Sequence, residues 1–180
     1  MTRLILCRHA QAGDDEEAAQ LARELAEVPL AALYTSPLTR AMETARAIAA
    51  LHPIRPEIVP GLREIELGDV AGLQFDEYPV ELQQELLMSP GTARFPGGET
   101  YEELRERVAA ALAEIAGRHP AQTVAAVSHA GAIRAALATW LEIGGDGAFH
   151  IDQAFAAVNV IDWGDGRPLV RLVNARRVDR

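Results

Sequence analysis

Four short segments carry residues whose chemistry goes beyond holding a fold. The apolar run Leu4-Ile5-Leu6-Cys7 stops abruptly at Arg8-His9, and a second apolar run, Thr123 to Val127, stops at Ser128-His129-Ala130-Gly131. Between them lie Ser36-Pro37-Leu38-Thr39-Arg40 and a glycine-bounded loop, Gly61 to Gly72, that holds Glu64 and Glu66. A guanidinium and an imidazole delivered at the carboxyl end of a buried strand form a natural site for a phosphate, because ligands of open parallel α/β sheets gather at that end. Two strand-end histidines, two arginines and a loop carboxylate could converge on one point. Taken singly, each has a plainer reading: Arg8-His9 as the place where a strand meets water, Arg40 as a side chain reaching solvent, Glu64 or Glu66 as a solvated loop carboxylate.

The elements that must position these groups are legible from periodicity and punctuation. A strand is predicted from about Thr2 to Cys7. An amphipathic helix follows, with Ala18, Leu21, Ala22, Leu25 and Val28 on one stripe and Pro29 as its stop. Ala31 to Thr35 reads as a second buried strand. Ser36 as N-cap and Pro37 as first helical residue would start the next helix, which puts Arg40 in the first turn. A cation there opposes the helix dipole unless cation and free N–H groups face one anion. Ile54 to Val59, crowded by Pro53, Pro56 and Pro60, suits an edge strand or a loop. A helix is expected over Tyr78 to Met88. Another begins at the capping box Thr100/Glu103 and ends near Gly117, with His119 as a C-terminal cap residue. His129 directly precedes a helix expected from about Ala132 to Leu141, an anion-site arrangement built from backbone as well as side chain. Phe155 to Trp163 and Leu169 to Val173 read as final strands joined at Gly164-Asp165-Gly166.

Composition narrows the partners. The 180 residues suit one domain, and a net charge of −9 argues against nucleic acid or an anionic membrane surface. All 17 basic residues are Arg, so Schiff-base chemistry and a P-loop lysine are excluded, and any anion held by a side-chain cation is held by Arg or His. Cys7 is the single cysteine, and neither a signal pattern nor a membrane-length apolar run is present, so a cytoplasmic location is expected.

Five segments together resemble the histidine phosphatase superfamily, the phosphoglycerate-mutase-like group (branch 1). They are Leu6-Cys7-Arg8-His9-Ala10, Thr35-Ser36-Pro37-Leu38-Thr39-Arg40-Ala41, Leu62-Arg63-Glu64-Ile65-Glu66-Leu67-Gly68, Pro96-Gly97-Gly98-Glu99-Thr100 and Val127-Ser128-His129-Ala130-Gly131. They occur in the family's order and span most of the chain. The resemblance implies a three-layer α/β/α sandwich with a mainly parallel central sheet, one domain over residues 1–180, and a small cap insertion over the active site at about 73–98. It implies His9 as the nucleophile that becomes phosphohistidine. Arg8, Arg40 and His129 would surround the non-bridging oxygens, and Glu64 would act as general acid and then base. Ala130, Gln11 and Ser36 are further expected substrate contacts. No metal and no cofactor are expected. Glu64 is preferred to Glu66, which would face the other way in an extended segment.

Ala10 stands where the family usually has Gly, the family's Asn a few residues later is missing, and the segment joining the first strand to its helix is short. Arg94 is the only Arg between Gly72 and Phe95. Phosphoglycerate mutases of the family carry a longer, more basic insertion, so a phosphatase is favoured, and the chain's length and Leu-Arg-Glu-Ile segment resemble those of small alpha-ribazole-phosphatase-like and broad-specificity phosphatases. The expected partner is a small phosphorylated metabolite, with inorganic phosphate as product and the chain as monomer or homodimer. A mutase, a phosphohistidine protein phosphatase and a silent phospho-ligand binding module are the alternatives. A metal hydrolase lacks an HExxH motif or close His-His-acid spacing, and a cysteine phosphatase lacks a Cys-x5-Arg loop.

Overall fold

A computed structural model describes residues 1–164 and 167–178. Six strands, β1 (Thr2–Arg8), β2 (Leu30–Thr35), β3 (Pro56–Ile58), β4 (Thr123–Ser128), β5 (Val158–Gly164) and β6 (Arg167–Ala175), form one sheet in the order β3-β2-β4-β1-β5-β6. The first four strands of that order are parallel, β5 runs antiparallel to β1, and β6 antiparallel to β5. The helices are α1 (Asp15–Leu25), α2 (Thr39–Ala49), α3 (Val80–Met88), α4 (Tyr101–Arg118) and α5 (Ala130–Trp140).

Alternation along the strands builds the layers. Leu4 and Leu6 of β1, with Val124 and Ala126 of β4, meet Leu104, Val108 and Leu112 of α4 and Ile133 and Leu137 of α5. Ile5 and Cys7, with Ala125 and Val127, face Leu21 and Leu25 of α1 and Ala41, Ala45 and Ile48 of α2. Both strands are therefore apolar on two faces, which is why they read as continuous runs rather than alternating ones. Burial pushes the Cys7 thiol up to about 12, so it remains a small hydrophobe and not a thiolate nucleophile.

Several boundaries differ from the sequence reading. β3 is an edge strand of three residues, as the surrounding prolines allow. α5 starts at Ala130 rather than Ala132, straight out of β4 with His129 as its cap residue. β5 starts at Val158, not Phe155, because residues 154–157 turn before the strand pairs. The turn assigned to Gly164-Asp165-Gly166 lies partly outside the described residues. The Thr100/Glu103 capping box forms, and His119 is the C-cap of α4. Trp140 of α5 and Trp163 of β5 meet edge to face at 5.6 Å, partly buried against the core. No helix among the described residues is long and apolar enough to cross a membrane.

Candidate active site

Strand register sets the site. β1 and β4 pair in parallel with Arg8 opposite Ser128, so the next residues, His9 and His129, leave the sheet side by side with ring centroids 5.0 Å apart. The His9 backbone N–H donates to the Ser128 carbonyl at 3.0 Å, which extends the ladder by one bond to the site itself. The His9 ring is held from behind: its Nδ1 lies 2.7 Å from the Ala10 carbonyl, which can only accept, so Nδ1 carries the proton. Nε2 is then the nitrogen with the lone pair, and Arg40 Nε donates to it at 3.1 Å. Burial, reinforced by the charges of Arg40 and Arg8, lowers the pKa of His9 although the Ala10 bond works the other way. The imidazole is thus kept neutral, as a nucleophile must be.

His129 is fully buried, and burial with nearby Arg40, His9 and Arg8 holds its pKa down at about 3. Its Nε2 lies 2.7 Å from Ser36 Oγ. Arg8 is fixed by Phe155, whose ring centroid is 3.7 Å from the guanidinium carbon, and by a hydrogen bond from Nη1 to the Gln153 carbonyl. Burial and then the neighbouring Arg134 lower the pKa of Arg8. Such a guanidinium still stays charged and presents a planar fork to phosphate oxygens.

Glu64 is delivered by a braced loop. Its Oε2 accepts from Gly131 N at 3.0 Å and its Oε1 from Ala132 N at 3.1 Å, so the carboxylate caps α5. This helix end is therefore capped by a side chain of the protein itself. Glycine at 131 lets the carboxylate sit this close, since a Cβ there would lie 2.3 Å from Glu64 Oε1 and would push it away. Behind the loop, Arg107 of α4 donates to the carbonyls of Gly61 at 2.9 Å, Arg63 at 3.2 Å and Glu64 at 3.4 Å, and pairs with Glu99 at 2.7 Å. Glu99 Oε2 also accepts from Glu66 N at 3.0 Å, and Gly98 allows the two loops to touch backbone to backbone, with its would-be Cβ 2.2 Å from the Glu66 carbonyl oxygen. The Pro96-Gly97-Gly98-Glu99 segment is thus the buttress of the Glu64 loop. Glu66 itself is exposed.

A cleft of about 440 Å³ is lined by Arg8, His9, Gln11, Ala12, Arg40, Glu64, Ala130 and Phe155. His129 is not among the lining residues; it is fully buried, with its ring next to that of His9. Ser36 is fully buried and outside the cleft lining, with its hydroxyl engaged by His129 and by Leu38 N, and it is not the N-cap of α2 as the sequence suggested. Consequently α2 begins at Thr39, with Leu38 as N-cap and no side-chain cap bond, and Arg40 is its second residue. No residue of 73–98 lines the cleft; α3 packs by Leu82 on Val70 and Phe95 in a separate small cluster, joined by Tyr78, and Phe75 stacks on Tyr78 at 5.9 Å. Phe155, Gln153 and Arg107 were not anticipated. The signal for Phe155 was its aromatic ring at what reads as a strand start; Arg107 shows only as one of several arginines on the polar face of α4. Among the described residues no group of three or more His, Cys, Asp or Glu is placed to hold a metal ion.

The profile of the histidine phosphatase superfamily (branch 1) matches residues 4–176. The chain belongs to this superfamily. Phosphoserine phosphatase 1 of Hydrogenobacter thermophilus is 31% identical to this histidine phosphatase over 157 residues, covering 75% of the chain and 74% of that protein. A metal-independent phosphoserine phosphatase of Arabidopsis thaliana is 36% identical over 110 residues, 58% of the chain and 46% of that protein. Among solved structures, Bacillus stearothermophilus YhfR superposes with a TM-score of 0.89 at 24% identity, covering 99% and 98% of the two chains. The alpha-ribazole phosphatase of Shigella flexneri gives 0.86 at 22%, with 99% and 98% covered. These structures share the three-layer fold and its mainly parallel sheet. This histidine phosphatase is a phosphatase, and the groups that its fold gathers at the carboxyl ends of β1 and β4 are its candidate catalytic set.

Proposed function

We propose that the protein hydrolyses small phosphomonoesters through a phosphohistidine at His9, without a metal ion. One observation carries this reading: the Ala10 carbonyl takes the proton-bearing Nδ1 of His9, which leaves the Nε2 lone pair facing Arg40 in a cleft that Arg8 also lines. Attack of Nε2 on phosphorus forms the N–P bond and breaks the P–O bond to the leaving group. The departing oxygen takes a proton from the Glu64 carboxyl. The Glu64 carboxylate then takes a proton from the water that attacks phosphohistidine, which restores both residues and releases inorganic phosphate. Arg40 exchanges its bond to Nε2 for one to a phosphoryl oxygen as the ester enters. Arg8, Arg40 and His129 face the charge that grows on the non-bridging oxygens; removing a well-placed group of this kind costs on the order of 100- to 1,000-fold in rate.

Phosphoserine is the favoured substrate, because two relatives, 31% and 36% identical, carry that activity in their names. Alpha-ribazole phosphate ranks second, since its support is a shared fold at 22% identity. A mutase reading is disfavoured by Arg94, the one cation of the insertion, which is taken up by Glu103 at 2.6 Å and the Gly98 carbonyl at 3.2 Å.

The test is phosphate release from phosphoserine, alpha-ribazole phosphate and 3-phosphoglycerate in excess EDTA, with His9→Ala beside the wild type. Turnover by wild type alone, with an acid-labile and alkali-stable phosphate on the quenched protein, is expected. Turnover that EDTA abolishes, or that His9→Ala retains, overturns the reading.

A further inference from the structure

Ser36 and His129 lie 93 residues apart in the chain and are both fully buried, yet their side chains meet at 2.7 Å. The contact has a definite proton inventory. A serine hydroxyl offers one proton and two lone pairs. Leu38 N donates to Ser36 Oγ at 3.2 Å, which uses one lone pair. Were His129 Nε2–H to donate to the other, the hydroxyl proton would have no acceptor, for the Ser36 hydroxyl makes no further hydrogen bond among the described residues. With the hydroxyl donating to Nε2, the Leu38 N–H, the Ser36 proton and the Nε2 lone pair are all used. The neutral ring then carries its own proton on Nδ1, and Nδ1 is buried with no protein partner.

We propose that Ser36 is a positioning residue that selects the Nδ1–H tautomer of His129, so that His129 meets a phosphoryl oxygen as a neutral hydrogen-bond donor and not as an imidazolium. The identity of the acceptor rests on the reading given under Proposed function. The surroundings favour the neutral form. Burial and the charges of Arg40, His9, Arg8 and Arg107 all disfavour a second proton on the ring, while the Glu64 carboxyl group near it is held by Gly131 N and Ala132 N. Two guanidinium groups already supply the positive charge, and a neutral donor adds a directed hydrogen bond without a third buried cation. Ser36 thereby acts on the reaction through His129 while touching no substrate atom.

The test uses the protein labelled with ¹⁵N-histidine. Long-range ¹H–¹⁵N correlations would be recorded at neutral pH with and without inorganic phosphate, for wild type, Ser36→Ala and Ser36→Thr. In the wild type, Nδ1 of His129 should show the protonated, pyrrole-type signal and Nε2 the pyridine-type one. The Nδ1–H signal should move when phosphate is added. Ser36→Ala should gain the Nε2–H form and lose about tenfold in kcat, the worth of one hydrogen bond, with KM within about twofold. Ser36→Thr, which keeps the hydroxyl, should restore both. An Nε2–H ring in the wild type overturns the proposal whether or not the variants fold, and so does a folded Ser36→Ala with unchanged tautomer. Should the wild type release no phosphate from any ester while its Nδ1–H signal still responds to phosphate, the catalytic reading fails and the role of Ser36 stands.

Discussion

Gly131→Ala separates catalysis from stability at one atom. Gly131 is the second residue of α5, and a Cβ there would lie 2.3 Å from Glu64 Oε1, where ordinary contact begins at 3.4 Å. The carboxylate must withdraw by about 1 Å or rotate off the helix end, because the alternative is to move α5 out of a fully packed core. A misplacement of about 1 Å of a catalytic group costs roughly 100-fold in rate. Stability should barely change. Replacing a helical Gly by Ala contributes about 0.4–1 kcal/mol, while loosening the Glu64 cap on Gly131 N and Ala132 N costs about 1 kcal/mol. Since Glu64 is argued to protonate the leaving oxygen, the loss should depend on that oxygen. Rapid-quench measurement of the phosphorylation half-reaction should show a loss near 100-fold for phosphoserine and a much smaller one for p-nitrophenyl phosphate, whose leaving group departs without a proton. Thermal melts should agree with wild type within a few degrees. A variant with phosphorylation rates within twofold of wild type, or with equal losses for both esters, would refute the role given to Glu64.

Three further outcomes follow from the same geometry. The pKa of His129 is about 3 in the folded protein against 6.5 for a free imidazole, so between those values the unfolded chain binds more protons. The stability involved is full above about pH 6.5 and falls as the pH drops toward 3, by up to about 1.4 kcal/mol per unit for this group; urea midpoints should show a shallower decline for His129→Asn, and parallel declines would contradict the assignment. Arg107→Lys removes the fork that spans Glu99 and three carbonyls of the Glu64 loop. It should cost about 1–3 kcal/mol in urea unfolding and lower kcat more than it raises KM; an unchanged kcat would show that the brace is dispensable for the chemistry. Phe155→Ala releases Arg8 from its aromatic support, worth about 0.5–2 kcal/mol, and should raise KM for phosphoserine by a few-fold to about tenfold with the fold intact by circular dichroism.

Much of the fold was legible because its signals are local. Continuous apolar runs marked β1 and β4, since both faces of these strands are covered. The Thr100/Glu103 pair marked the start of α4 within one turn. Errors arose where a local rule met a distant partner. Ser36-Pro37 has the composition of a helix start, yet the Ser36 hydroxyl is claimed by an imidazole 93 residues away, and the helix begins at Thr39. Phe155 suits a strand by propensity, but the sheet does not take it in, and its ring instead supports Arg8.

By itself the sequence determined the chemical inventory: two histidines and an arginine at strand ends, a second arginine in a first helical turn, no lysine, and the elements that carry them. These are properties of composition and short-range periodicity, which a chain holds before it folds. Tertiary structure decided the assignments that depend on register and on loops meeting loops. It put His9 beside His129 through the pairing of Arg8 with Ser128, and left Glu66 exposed while Glu64 reached the end of α5, 67 residues on. Such choices are made by hydrogen bonds between segments far apart in the chain, and no window of neighbouring residues contains both partners.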